Sequence, residues 1–358
     1  MVKKNFRILV CPLDWGIGHA TRCAPVIRQL QNDNHEIILA GDGKVFEFFR
    51  SNFPENKLLR FPGVSIKYPS GKNMVMKMFF LAPHILINIF REHRQLKKII
   101  NENKIDVVIS DNRFGLWSKK ACSIYMTHQV MIKAPRGWKW AEPVLYKIHR
   151  WFIKHYDECW IPDLPNSPNL SGDLSHKYPI PPNARFIGPQ SRFEIPIAHS
   201  PIRPFAQSPD LLVLVSGPEP QKTIFENMVM QELNKHRGLY VVILQGLPGP
   251  FTQSSPVPGV FVFNHLPDEA LAELITNSHT IICRSGYSTI MDLVTLGRSA
   301  VLVPTPGQTE QEYLAEYLSS NGWFSTLKQE EFDLGKAMAA NNINNNFNNN
   351  FKGKDQTG

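Results

Sequence analysis

Residues 15–22 read WGIGHATR, between the apolar run ILVCPL and the helically spaced APVIRQL. A strand, a glycine-rich turn and a helix in that order ordinarily make a phosphate site, yet a histidine, His19, occupies this turn. The dinucleotide fingerprint fails here: Gly16 and Gly18 fit, but the third glycine falls on Thr21. Nor does an acidic residue end the next strand at the required distance, since Glu36 begins that strand and Asp42 only follows it. A histidine, with a free pKa of ~6.5, can exchange a proton near neutral pH. Arg22, one turn on, can bind an anion or face solvent.

Two loops in the second half read as a nucleotide site. SGPEP, residues 216–220 and including Ser216 and Gly217, separates a buried strand from a helix whose first amides can bind phosphate oxygens; a plain tight turn reads equally well. In the stretch CRSGYSTIMDL, Ser285 and Gly286 close a strand, Ser288 and Thr289 can cap the following helix, and Asp292 lies one turn further in. A carboxylate there can accept both hydroxyls of a ribose. VLVPTPGQTEQEY then leads a strand into a polar loop carrying Gln308, Glu310, Gln311 and Glu312. Amides and carboxylates clustered in this way suit a neutral polyhydroxylated ligand, because each hydroxyl needs a donor or an acceptor. A capped surface helix with solvated glutamates is the alternative.

The elements that must position these residues alternate. FRILVCPL, EIILAG and DVVISD are short β-rich runs with helical stretches between them, which predicts a parallel sheet covered by helices. Residues 161–209 are rich in proline, serine and asparagine, and their later part is the expected interdomain connection. The alternation restarts with LLVLVSG, LYVVILQG, VFVFNHL, TIICRSG and SAVLVPT. The predicted fold class is α/β, two Rossmann-like domains facing a central cleft, over residues 1–200 and 201–335. Residues 336–358, NNINNNFNNNFKGKDQTG at their end, form an asparagine-rich tail expected to be disordered.

Residues 283–324 resemble the donor-binding segment of inverting two-Rossmann (GT-B) glycosyltransferases. The nearest resemblance is to the peptidoglycan lipid-intermediate N-acetylglucosaminyltransferases and related bacterial glycosyltransferases. The residues that carry it are Arg284-Ser285-Gly286, Thr289, Asp292, Gly297, Pro304 and Gln311-Glu312. The resemblance implies a UDP-sugar co-substrate, with Asp292 on the ribose, Gln311 and Glu312 on the sugar, SGPEP on the diphosphate, and His265 with Leu266 facing the base. Three departures leave the sugar open: Asp292 stands where the family has Glu, Glu312 where it has a second Gln, and the diphosphate loop carries prolines. WGIGH resembles the family's GxGH element. On that likeness His19 is the general base that deprotonates an acceptor hydroxyl, with ligand positioning or ordering of the turn as the alternatives. In this fold helix amides can stabilise the leaving nucleoside diphosphate without a metal. DLPNSPNLSGD, the nearest approach to a DxD motif, has the wrong spacing, so neither a metal nor a cofactor is expected. SDNRFG and MTHQVMIKAP end presumed strands, which makes Asp111, Asn112, Arg113, His128 and Gln129 candidates for the acceptor side.

Five scattered cysteines, an odd number without CxxC, argue against a disulfide framework or zinc site and fit a reducing cytoplasm. Asp14 breaks the N-terminal apolar run, which reads as a first strand and not as a signal peptide. Residues 1–200 hold 29 Lys+Arg against 16 Asp+Glu, whereas residues 201–358 hold 10 against 15. A basic half implies an anionic partner; no recognisable nucleic-acid module accompanies it, so none is assigned. MFFLAPHILINIF is too short to span a bilayer, and RGWKWAEPVLYKIHRWFIKHYDECW alternates aromatic and basic residues. Each alone also reads as a core helix with a snorkelling basic face. Together they imply a cytoplasmic protein, peripheral at the inner membrane face of the cell envelope, with a glycan or lipid-linked acceptor. Two other classes stay open: a nucleotide-sugar 2-epimerase of the same architecture, and a non-catalytic nucleotide-sugar binder.

Overall fold

A computed structural model describes residues 5–63, 74–135, 137–193 and 207–341. The chain divides into two compact units, one running to Gln190 and the other from Ser191, ten residues ahead of the boundary expected from sequence.

The first unit begins β1 (Arg7–Pro12), α1 (Ile17–Asn32), β2 (Glu36–Gly41), α2 (Gly43–Asn52) and β3 (Lys57–Arg60). It continues with α3 (Met74–Asn103), β4 (Val107–Asp111), β5 (Cys122–Met126) and α4 (Glu142–Ile153). β6 (Glu158–Ile161), α5 (Asp173–His176) and β7 (Ala184–Phe186) complete it. The strands pair in parallel in the order β3-β2-β1-β4-β5-β6-β7. β1 is apolar on both faces because helices cover both. Ile8 and Val10 pack with Ala24 and Ile27 of α1, while Leu9 and Cys11 pack with Leu96 and Ile100 of α3.

The second unit opens with β8 (Leu211–Leu214), α6 (Gln221–Leu233), β9 (Val241–Leu244), β10 (Gln253–Val257) and β11 (Val260–Phe263). α7 (Asp268–Asn277), β12 (Thr280–Cys283), α8 (Tyr287–Thr295) and β13 (Val301–Leu302) follow. Last come α9 (Thr309–Ser320), β14 (Ser325–Thr326) and α10 (Leu334–Asn341). The order is β10-β11-β9-β8-β12-β13-β14, with only β10 antiparallel to its neighbour. α10 takes up the start of the expected tail: Leu334 and Ala337 are fully buried against the β-sheet core. Residues 342–358 lie outside the described residues, as do 194–206 of the expected connection.

In both sheets the strand order reverses beside the first strand of the unit, between β1 and β4 and between β8 and β12. Open α/β sheets bind ligands in the crevice at the carboxyl ends of the strands at such a point. The turns after β1, β4, β8 and β12 carry WGIGH, DNR, SGPEP and RSG.

Candidate functional site

In the first unit Gly16 is the N-cap residue of α1, so Gly18 and His19 lie in the first helical turn instead of the expected loop. Arg22 follows three residues later, on the same side of the helix. It is buried, and its guanidinium joins three elements. Nε donates to Asp111 Oδ2 at 2.6 Å, and Nη2 makes a short bond to Asp111 Oδ1. Nη1 lies 2.7 Å from His128 Nδ1, and Nη2 lies 2.9 Å from His19 Nδ1. His19 Nδ1 is in turn 3.3 Å from Asp111 Oδ1. Asp111 ends β4 without solvent contact. Burial would raise its pKa, but Arg22 and then His19 outweigh it and hold the carboxyl well below the ordinary range.

Asn112, the next residue, has φ 56°, a left-handed conformation that Asn tolerates better than most residues. It turns the chain at the strand end, and its amide donates to Met126 O at 3.1 Å. His128 follows β5 and is buried, its carbonyl accepting from Ser175 Oγ at 2.6 Å. The structure brings the candidates His19, Arg22 and His128 together with Asp111, and Arg22 is the group that touches the other three.

Arg113 is a correction. Its side chain is buried away from ligand reach, with Nε on Pro12 O at 2.8 Å and Nη1 on Glu92 at 2.8 Å. Nη2 bonds Asp14 and also Phe61 O. It is a strut between the ends of β1 and β4, and the candidate acceptor role does not fit it. Arg22 is likewise bound to protein groups, not open to an anion.

In the second unit Gly217 takes φ 117° after β8, and the SGPEP turn, half-buried at residues 216–218 and exposed at Glu219 and Pro220, leads into α6. The first amides of that helix are not all open. Glu219 Oε2 accepts from Thr223 N at 3.2 Å and from its hydroxyl at 2.8 Å, so a diphosphate must share or displace this carboxylate.

Arg284 is the second correction. Buried beneath the loops, it donates through Nη2 to Gln221 O at 3.0 Å and through Nη1 to Val303 O and Pro304 O at 3.1 and 3.3 Å. Its guanidinium stacks 4.2 Å from the Phe225 ring centroid. Desolvation lowers its pKa to about 9. It ties the turns after β8 and β13 together through its Nη atoms, while its Nε has no partner. Ser285 is also buried, its hydroxyl donating to Gln311 O at 2.8 Å. Gly286 is the N-cap residue of α8 with no side-chain cap, so Ser288 and Thr289 lie inside the helix and do not cap it.

Asp292 is nearly buried, and burial raises its carboxyl despite the neighbouring Arg192. Ser191 Oγ donates to Oδ1 at 2.7 Å and Arg192 Nε to Oδ2 at 3.1 Å. Arg192 also pairs with Asp268 at 3.5 Å. The sequence carried no local signal for Ser191 or Arg192, which lie about a hundred residues from Asp292 in a proline-rich stretch. Gln311 Oε1 accepts from Thr305 N at 2.9 Å, and Glu312 Oε1 from Gly307 N at 2.8 Å, which pins the PTPG turn over α9. His265 and Leu266 follow β11, half-buried. Buried polar atoms without a partner on these strand-end loops include His265 Nδ1, Arg284 Nε, Thr305 Oγ1 and Gln308 Oε1. Such atoms are costly unless a ligand or water meets them.

Comparison with known proteins places this geometry. Residues 230–354 match the model of the glycosyltransferase family 28 C-terminal domain. A UDP-N-acetylglucosamine--N-acetylmuramyl-(pentapeptide) pyrophosphoryl-undecaprenol N-acetylglucosamine transferase from Rhizobium leguminosarum bv. trifolii (strain WSM2304) is 35% identical over 71 residues, 19% of this chain and 19% of that protein. The chain thus matches about a fifth of the length of such relatives. Among solved structures, the glycotransferase of kitacinnamycin superposes with TM-score 0.64 at 14% identity, covering 98% of this chain and 94% of its own. Acinetobacter baumannii MurG gives 0.51 at 14% identity, covering 93% and 89%. These likenesses establish the GT-B fold of two Rossmann-like units.

Proposed function

We propose that this chain is an inverting glycosyltransferase that moves a sugar from a UDP-sugar to the hydroxyl of a lipid-linked acceptor. The observation that carries the reading is the contact between His19 and the buried, ionised Asp111 at the point where the first sheet reverses its strand order. With its proton on Nδ1 and donated to Asp111, His19 has a bare Nε2. The acceptor O–H gives its proton to that nitrogen as its oxygen attacks the anomeric carbon. The bond from that carbon to the diphosphate oxygen breaks on the opposite face, which inverts the configuration. Asp111 stabilises the imidazolium that forms. The leaving diphosphate gathers negative charge, which amides at the start of α6 suit without a metal.

The match at residues 230–354 supports a nucleotide-sugar donor held by the second unit. Asp292 accepts the ribose hydroxyls in exchange for Ser191 and Arg192, and Gln308, Gln311 and Glu312 meet the sugar. N-acetylglucosamine, the sugar named in the matched relatives, is the first donor to test.

A membrane-borne acceptor is supported by the first unit. α4 turns Val144, Ile148 and Trp151 outward with Lys147 and Lys154 among them, and Trp140, just before it, is 70% exposed. On α3, Leu86, Ile87 and Phe90 are exposed ahead of Arg91, Arg94, Lys97 and Lys98. Ring contacts from His93 through Trp117 to His155 and Trp151, at 4.3, 4.9 and 4.5 Å, join the two helices. Aromatic and basic residues mixed on one surface suit a headgroup interface. The side chains of residues 74–82, the apolar start of the expected membrane segment, lie outside the described residues. No helix among the described residues is long and apolar enough to cross a membrane.

The test is incubation with labelled UDP-sugars and membrane lipid extract in the presence of a chelator. Label passing into the lipid fraction, and absent with His19→Ala, is the expected result. Release of free sugar without lipid would replace the reading with epimerase chemistry, and retention of all label on the nucleotide would contradict both.

A further inference from the structure

Arg22 touches three chemically active side chains at once, and its own chemistry restricts what each can be. A guanidinium donates and never accepts. The 2.7 Å contact with Nη1 therefore makes His128 Nδ1 the acceptor, which leaves that imidazole neutral with its proton on Nε2. His19 differs: its Nδ1 has a carboxylate oxygen at 3.3 Å and a guanidinium nitrogen at 2.9 Å. When Nδ1 carries a proton it donates to Asp111, and Nε2 is an acceptor. When Nδ1 is bare it accepts from Arg22, and Nε2 carries the proton. Asp111 is the acceptor for the first of these forms, and Arg22 holds it through both carboxylate oxygens.

We propose that Arg22 is a positioning residue that fixes the proton of His128 on Nε2 and orients Asp111 beside His19. It holds His128 as an Nε2–H donor, and it clamps Asp111 through both carboxylate oxygens within reach of His19 Nδ1. A planar fork is required, because Nε and Nη2 take the carboxylate while Nη1 reaches across to His128. A lysine ammonium has the charge but cannot span all three groups. The inference rests on the base role given to His19 above, yet its test does not depend on sugar transfer.

The experiment is long-range 1H–15N NMR of the full chain labelled at histidine, which reads the tautomer of each ring; His19→Gln and His128→Asn assign the signals. The expected wild-type spectrum has His128 as Nε2–H. His128 as Nδ1–H, or protonated on both nitrogens, would overturn the proposal whether or not the protein transfers sugar. In Arg22→Lys, His128 loses its single tautomer and kcat falls about 100-fold with the donor KM unchanged. Tautomers unchanged in a folded Arg22→Lys protein would likewise contradict it. Failure of the wild type to transfer sugar, with these spectra as expected, would count against the transferase reading alone.

Discussion

A carboxylate without solvent contact keeps its charge only if its neighbours hold it there, and Asp111 has Arg22 and His19 to do so. Removing its charge in Asp111→Asn leaves Arg22 buried beside a neutral amide. The expected loss is about 3–5 kcal/mol of unfolding free energy, read from urea titration. The pH dependence has a fixed sign. The folded pKa of Asp111 lies below the unfolded one, so its stabilising contribution is complete above the ordinary carboxylate value of about 3.9 and is lost as pH falls through the lowered value. At the base, His19→Ala should cut kcat by about 10²–10⁴-fold while donor affinity, measured by calorimetry, stays the same. The candidate site was half legible at this scale. His19 stood out because a histidine interrupts a glycine turn. Arg113 and Arg284 look like ligand-binding cations in the sequence, but their Nη donors go to backbone carbonyls and acidic side chains, which no local pattern reveals.

Among the elements, the central parallel strands were legible because burial on both faces leaves a continuous apolar run, as in Ile8–Cys11 and Val241–Leu244. β3, reading KLLR, and β14, only two residues long, lie at sheet edges and carry no such run. α4 was legible as amphipathic but not in which face it hides. It buries Tyr146, His149 and Ile153 and exposes Val144, Ile148 and Trp151. Ile148→Glu with Trp151→Glu should therefore reduce sedimentation with anionic vesicles about tenfold or more and leave the unfolding midpoint nearly unchanged. The hidden face has its own pH signature. Burial lowers His149 to about 4, with its Nδ1 on Val130 O. The unfolded chain takes up this proton below about pH 6.5, so the contribution of His149 is flat above that pH and declines between it and about 4, by roughly 3 kcal/mol. The difference in urea stability between the wild type and His149→Gln, measured across this range, should follow that decline.

For the whole molecule, charge divides between the two halves of the chain. Residues 1–200 carry 29 basic against 16 acidic side chains, together with His19, Asp111 and the exposed Trp140 and Trp151. The second unit carries the region matching family 28, with Asp292 and the unpartnered atoms of His265, Thr305 and Gln308. Two sheets with their strand-order reversals follow from alternating strand and helix patterns, which is why the architecture was readable from sequence. The partners of Asp292 were not, because Ser191 and Arg192 reach it from outside any periodic element. The measurement that bears most directly on the account is calorimetric titration of the metal-free protein with a panel of nucleotides and UDP-sugars, alongside Asp292→Ala. The account predicts selective UDP-sugar binding that the substitution abolishes. Absence of nucleotide binding, or equal binding by both proteins, would contradict it.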